Sequence, residues 1–441
     1  MKTFRPWDVD QDWLLPPSLG EFVPADHIAH FIRDLVRNEL DLTPILSSYD
    51  DDRGYPPYHP GMMVALLLYA YTQSVYSSRR ISRCCEERLD FMALTAMNRP
   101  DFRTISDFRK RHLSTLADLF LQVLRLCRAA GLVSLGHVAV DGTKLKANAS
   151  RHKAMSYARM RQSETELASQ IASWFEMAEH HDGVDDAEHG SCRGDEMPAW
   201  IKTKQERLDR IRMAKTVLEE EARRDAGMVD PNGPGPSSGM RTYGRPNRSL
   251  DGKPPERAQR NFTDPDSRIL PTRDGFIAGY NGQLAVDAER QIIVSHRLIT
   301  NSADVDGLIP LIDATRAAFG RKPIEISADN GFASEANLEA LAERGISAYL
   351  ACRRGRRRDV PKTTWRRLKK QPRMMAMAAK LKRGGYRSRY RLRKQVVEPV
   401  FGQIKQARGF RQFLLRGLDK VRCEWALVCT AHNLLKLAGA R

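Results

Sequence analysis

Apolar side chains recur at three- and four-residue spacing through Phe31, Leu35 and Leu40, and an unbroken apolar run of ten residues follows from Met62 to Tyr71. Both are helical signals. A third helix is expected over Ser78–Leu94. Thr104 and Asp107 form a T-x-x-D capping pattern, which predicts a helix opening there and running through Phe108 to Leu126. Residues 1–130 therefore read as an all-α domain, punctuated by Pro56-Pro57 and Arg99-Pro100. Arg79, Arg80, Arg83, Arg109, Lys110 and Arg111 lie on its helices, and suit a DNA-binding bundle of the helix-turn-helix kind as well as an ordinary basic face.

The pattern changes after Gly136. The stretch HVAVDGTKL reads as a strand with Asp141 near its end, followed by a glycine turn. Residues 151–226 return to helix, with Leu167, Ile171, Trp174, Phe175, Leu208, Ile211 and Leu218 as the apolar stripe of a helical hairpin or short coiled coil. Residues 227–261 are rich in Gly, Pro and Ser and read as a flexible loop. A β-hairpin is predicted at about 275–300, then helix over Leu308–Phe319, strand over Pro323–Ala328, helix over Ser334–Arg344 and strand over Ser347–Ala351. A last helical region runs from Val397 to Leu437 with a break near Gly409. The order is mixed α/β. No G-x-G-x-x-G follows the first strand, so it is not a dinucleotide-binding order.

Charge narrows the function. The 441 residues carry a formal charge of +18, and the 42 residues from Arg353 to Lys394 hold all of that excess: 19 Lys and Arg against one acid, Asp359. The segment lies inside the chain and includes Trp365, Tyr386 and Tyr390. Basic groups near phosphates release counterions, so salt-sensitive nucleic-acid binding is expected. No apolar run reaches the ~20 residues of a membrane span. The opening residues lack the apolar core of a signal peptide, and seven scattered cysteines with no CxxC pair argue for a reducing compartment.

Three acids have unusual settings. Asp141 ends the first strand, Asp329 ends IEISAD before Asn330-Gly331, and Glu398 sits in VEPVFGQIK. Asp before Gly is common turn chemistry, and any one alone says little. Three carboxylates brought together repel unless a cation neutralises them, and oxygen-only donors suit Mg2+ or Mn2+. Two such ions about 4 Å apart serve phosphoryl transfer. At 100° per residue, Arg391, Lys394, Glu398 and Lys405 fall within about 60° of one another. Pro399 disfavours helix at Glu398, so the helix is expected to kink or to begin there.

These same segments resemble the DDE transposases of bacterial insertion sequences, in the branch with a Y-(2)-R-(3)-E-(6)-K signature. The resemblance covers FRPWDVDQDWLLPPSLGEFVPADHIAHFI, RPDFRTISDFRKRH, VAVDGTKLKANAS, NFTDPDSR, GYNGQLAVD and VVEPVFGQIK, and so nearly the whole chain. It implies an α/β RNase H-like catalytic domain, a mixed sheet with flanking helices, at 131–150 and 262–441, interrupted by the helical insertion. It implies Asp141, Asp329 and Glu398 as the metal-holding catalytic acids, with two Mg2+ ions, or Mn2+ in their place. Tyr390, Arg393 or Lys394, and Lys405 are implied DNA contacts; Arg109, Lys110 and Arg111 are candidate contacts from their place on the basic N-terminal helices. Glu398 and Lys405 keep the six-residue gap, whereas four residues rather than three separate Arg393 from Glu398. It also puts Asn281 and Gln283 on the strand next to that of Asp141. The expected reaction is cleavage at the element's ends and transfer of the freed 3′-hydroxyl into target DNA, by a homodimer on double-stranded DNA, in the cytoplasm with the nucleoid. The alternatives are an RNase H-like nuclease without strand transfer and a DNA-binding protein without chemistry.

Overall fold

The computed structural model describes residues 19–49, 57–189, 199–225, 253–272, 274–352 and 371–440. The first 18 residues and the most basic stretch, 353–370, lie outside them. Helices come first: α1 (Ile28–Asn38), α2 (Thr43–Leu46), α3 (Pro60–Thr72), α4 (Ser78–Glu87), α5 (Leu89–Leu94), α6 (Phe102–Arg111) and α7 (Leu113–Ala129). The apolar run is α3, which buries every residue from Met63 to Thr72. Only a helix central to the core can be apolar on all sides.

Two boundaries differ from the expectation. Ser78–Leu94 is two helices, because Arg88 leaves helical geometry (φ −120°, ψ 123°). The helix expected to open at Thr104 begins three residues earlier. Asp101 caps it, accepting from the backbone N–H of Arg103 at 2.6 Å and of Thr104 at 2.9 Å. Thr104 is thereby inside the first turn, and the helix ends at Arg111 rather than running on.

Strand β1 (His137–Lys146) follows, and Asp141 lies at its middle rather than its end. A short strand β2 (Ala154–Ser156) leads into α8 (Tyr157–His189) and α9 (Ala199–Asp225). This hairpin has its own core, in which Met160, Leu167 and Ile171 meet Leu208, Ile211 and Leu218. Glu164 ties the two helices through Arg212 and Lys215. The side chains of Trp174 and Phe175 lie outside the described residues. Of the 227–261 loop, Gln259–Asn261 is a strand, β3, paired antiparallel with β2. The pairing closes the base of the hairpin, so that its two ends leave the sheet side by side.

The main sheet adds β4 (Arg268–Thr272), β5 (Gly275–Asp287), β6 (Ile293–Ile299), β7 (Glu325–Ala328) and β8 (Ser347–Leu350), with α10 (Leu308–Phe319) and α11 (Glu335–Glu343) in the crossovers. The order is β4-β5-β1-β7-β8, with β6 also on β5. β1 is antiparallel to β5 and parallel to β7, so the sheet is mixed and β1 is central. After α12 (Pro372–Gly384) comes α13 (Leu392–Gly402), which continues as a π-helical turn over Gln403–Ala407 and stops at Gly409. The last helix, α14 (Leu418–Ala438), is buried along most of its length.

One continuous hydrophobic core runs from Ala29 through the sheet to Leu437. α14 joins the helical region to the sheet, and Asn433 meets β6 as another strand would: its Oδ1 accepts from Ile293 N–H and its Nδ2 donates to Ile293 C=O, both at 2.9 Å. No described helix is long and apolar enough to cross a membrane.

α14 also buries a carboxylate. Glu424 is fully buried and accepts from the backbone N–H groups of Leu414 and Leu415 at 3.0–3.1 Å, which fixes the chain between α13 and α14. Burial pushes its pKa up to about 6, against the pull of those N–H groups and of Arg109. The folded state thus holds the proton more tightly than the unfolded chain. The stability this contributes is complete below pH 4.5 and is lost as pH rises through about 6. We expect the stability advantage of the parent over Glu424→Ala to shrink by about 2 kcal/mol between pH 4 and pH 7.5 in urea unfolding. An advantage that does not change with pH would show that the carboxyl titrates normally.

Candidate active site

β1 supplies the centre of the site. Its parallel ladder with β7 ends at the pair Val140 and Ala328, so Asp141 and Asp329 come next in line on neighbouring strands. Asp329 turns the chain out of the sheet: its Oδ1 accepts from Gly331 N–H at 2.8 Å, capping the turn Asn330–Phe332. Asp141 Oδ1 accepts from Gly142 N–H at 2.8 Å.

Glu398 reaches the same place through an arginine. Arg393 Nη1 donates to Asp141 Oδ2 at 2.6 Å, and Nη2 pairs with Glu398 Oε1 at 2.8 Å. Arg393 and Glu398 stand five residues apart on α13, beyond the usual three or four for facing side chains on a helix. The long stem and two-sided fork of arginine bridge that gap. The Arg393 and Asp141 side chains are 12% and 14% exposed, while Glu398 is 44% exposed. Burial is the main reason that the Asp141 pKa is pushed up to about 6. The charges of Asp329 and Glu398 add to the rise, and Arg393 and the Gly142 N–H oppose it without cancelling it. The same cluster raises the Arg393 pKa through Asp141 foremost, against the opposing effect of burial.

Lysines flank the acids. Lys405, in the π turn, donates to Thr143 Oγ1 at 3.0 Å and Lys144 C=O at 3.3 Å. Lys144 donates to Ser302 C=O at 3.1 Å and stands 3.7 Å from Asp304 Oδ1. Burial lowers the pKa of both ammonium groups. Tyr390 lies beneath the Arg393 guanidinium, 6.0 Å from its ring centre. Lys394 is exposed, so Arg393 is the basic residue that engages the acids.

In the helical region, Arg109 is 5% exposed and is not a surface contact. Its guanidinium is directed at Tyr71 Oη, Tyr76 C=O and Ser78 Oγ, and so braces α3, α4 and α6 from within. Lys110 and Arg111 are exposed, Lys110 pairing with Asp107 at 3.1 Å. Arg79, Arg80 and Arg83 are exposed on α4. Asn281 and Gln283 are fully buried and donate to Asp304 Oδ1 at 2.6 and 3.0 Å. Asp304 was not visible as a site residue in the sequence, where it sits in an ordinary polar loop. The only signal pointing to it was the buried amide pair of YNGQ.

Among the described residues, no three His, Cys, Asp or Glu side chains are arranged to hold a metal ion. Arg393 stands between two of the three expected acids. Their donor set still fits a hard divalent cation: it is all carboxylate oxygen, and Asp141 remains under-neutralised by one guanidinium.

Acids gathered on the central strand where its ladder with β7 ends, flanked by lysines in a strongly basic chain, suit a protein that handles polynucleotides. A family model described as a transposase domain (DUF772) matches residues 17–111, and one described as a transposase DDE domain matches residues 257–434. The chain is a DNA transposase and belongs to the DDE transposases of insertion sequences. The second match includes Asp329 and Glu398, and Asp141 precedes it. No curated protein and no solved structure matches the chain.

Replacing Arg393 by the uncharged Met should leave Asp141 buried without its partner, and destabilise the fold by about 2–4 kcal/mol at pH 8. The loss should shrink below pH 6, where Asp141 takes up a proton. Thermal or urea unfolding of parent and variant at pH 5 and pH 8 reads this directly, and an equal loss at both would mean that Arg393 acts by packing alone.

Proposed function

We propose that this chain cuts DNA at the ends of an insertion sequence and joins the freed 3′-hydroxyl to target DNA, with Asp141, Asp329 and Glu398 as the catalytic acids of an RNase H-like domain. The observation that carries the reading is the meeting of Asp141 and Glu398 on one guanidinium, with Asp329 next in line beyond the β1–β7 ladder. The catalytic domain is residues 131–150 and 262–441, the helical region 1–130 binds the terminal inverted repeats, and the 151–226 hairpin is an insertion.

The three acids would hold divalent cations of the Mg2+ or Mn2+ class, two in number. When bound, these supply Lewis acidity at a phosphodiester. The chain's own residues do the rest. Lys405 and Arg393 hold DNA phosphate beside the acids, Arg393 turning from the carboxylates to the incoming backbone. Tyr390 keeps the Arg393 stem in place. Lys110, Arg111 and the exposed arginines of α4 hold the flanking duplex. In the first reaction the oxygen of water bonds to phosphorus and the bond to the element's terminal 3′-oxygen breaks. In the second that 3′-hydroxyl oxygen bonds to a target phosphorus and displaces the target's own 3′-oxygen. Two ends are joined together, so a homodimer on DNA is the working form, in the cytoplasm with the nucleoid.

A supercoiled plasmid carrying the gene with its flanking DNA tests this in the presence of Mg2+. Asp329→Ala should lose end cleavage by more than about 100-fold while DNA binding persists. Cleavage retained in that variant, or absent from the parent, would overturn the reading; hydrolysis without joining would leave a nuclease. Lys405→Gln should weaken binding and lower the slope of log affinity against log salt by about one. An unchanged slope in a filter-binding series would remove Lys405 from the DNA contacts.

A further inference from the structure

Asp304 lies in the loop between β6 and α10, and its surroundings are built for a charge. Its Oδ1 accepts from Asn281 Nδ2 and Gln283 Nε2, both from fully buried residues of β5. Facing them across the strand pair, Lys144 is opposite Asn281 and Gly142 is opposite Gln283. Directly opposite residues of an antiparallel pair share a face. The Lys144 ammonium stands 3.7 Å from Asp304 Oδ1 on that face, and Thr143, which binds Lys405, points to the other.

Two glycines next to the proposed acids make the room. A Cβ at Gly142, the residue after Asp141, would stand 2.7 Å from Asp304 Oδ1. One at Gly331, in the turn capped by Asp329, would stand 3.1 Å from Asp304 Oδ2. Asn337 fastens the two turns together, donating to Val305 C=O at 2.7 Å and Phe332 C=O at 2.8 Å. The Asn281 Oδ1, buried in the same place, has no hydrogen-bond partner and would be 3.1 Å from a Gly142 Cβ. A loop anchor alone would need an acceptor for two amide donors, which an asparagine also supplies. It would not need a full charge beside a half-buried lysine.

We propose that Asp304 is a fourth acid of the site, a positioning residue whose carboxylate holds the Lys144 ammonium away from Asp141 and Asp329. This inference rests on the reading of those acids as cation ligands. Lys144 feels all three carboxylates, with Asp304 the strongest. Asp141 lies on the Thr143 side of β1, but the β1–β7 ladder ends at Val140 and leaves that edge of the strand open. With the Asp304 charge removed, the ammonium crosses the open edge to Asp141 and Asp329 and competes for them with the divalent cation.

The test is Mn2+ binding to the full-length protein, followed by titration calorimetry and by the electron paramagnetic resonance of free Mn2+. Asp304→Asn keeps the shape and the acceptor but not the charge. It should weaken Mn2+ binding five- to tenfold while leaving the unfolding midpoint and DNA affinity within error. Lys144→Met in the Asp304→Asn background should bring Mn2+ binding back to within twofold of the parent. Gly142→Ala is the second route: its methyl displaces the Asp304 carboxylate with the charge retained, and should give the same direction of change. Parental Mn2+ binding in both Asp304→Asn and Gly142→Ala, or a loss that Lys144→Met does not repair, would overturn the proposal. Asp329→Ala separates the two failures. If it binds Mn2+ as the parent does, the reading of the acids as ligands is wrong. If it loses Mn2+ while Asp304→Asn does not, only the role of Asp304 falls.

Discussion

Bringing like charges out of water is the constraint on which this structure turns. Asp141 sits in the middle of the central strand, largely buried, with Asp329 just past the end of β7 and Glu398 facing it from α13. Desolvation alone would drive a proton onto such a carboxylate, and its raised pKa shows that the compensation is incomplete. The single guanidinium of Arg393 holds the arrangement together. α13 must therefore lie against β1 at one definite height, because the two ion pairs use both arms of one short fork. A helix displaced by one turn would offer the acids no cation.

That height is set by contacts distant from the acids. The chain after α13 pairs beside the last residue of β1, since Phe413 N–H donates to Lys146 C=O and Lys146 N–H to Arg411 C=O. The same chain is pinned from below by the buried Glu424 and from the side by Asp264. Asp264 accepts from Gly417 N–H and from the Tyr280 hydroxyl. Tyr280 is on β5, one residue before the amide pair that holds Asp304. The NFTDPDSR segment thus acts on the fold through Asp264 and Asp266. It is a polar clamp that locks β5 and the C-terminal helices to each other.

Much of this was legible in the sequence. The hairpin of β5 and β6, the alternation of β7, α11 and β8, and the break at Gly409 follow from period and turn residues. The three acids stood out because two of them precede glycines and the third sits in a helix with basic neighbours. What the sequence hid was burial. Arg109 looked like one of three equal cations in RKR, yet only Lys110 and Arg111 reach the surface, since the packing of α6 against α4 decides which side of the helix faces in. Thr104 looked like a cap, but Asp101 lies at the true start and binds its N–H group. Asp304 and Lys144 were hidden for a related reason: their meaning depends on the register between β1 and β5, which no local pattern encodes.

The irregular course of α13 shows how the helix meets two demands at once. Pro399 lies inside it, where the ring removes one backbone donor, and the helix neither begins nor ends there. A few residues later the chain widens into the π turn of Gln403–Ala407. Lys405 is seven positions on from Glu398, which on a regular helix is close to two turns and would set the two side chains on one face. Instead the Lys405 ammonium is held by Thr143 and Lys144, past Asp141 along β1, and Glu398 is left to Arg393. On a regular helix the two would share a face, about 10 Å apart along the axis, and both would follow the acids' side of the helix. The widened turn instead aims Lys405 at β1, and π turns of this kind are common where a helix carries functional side chains.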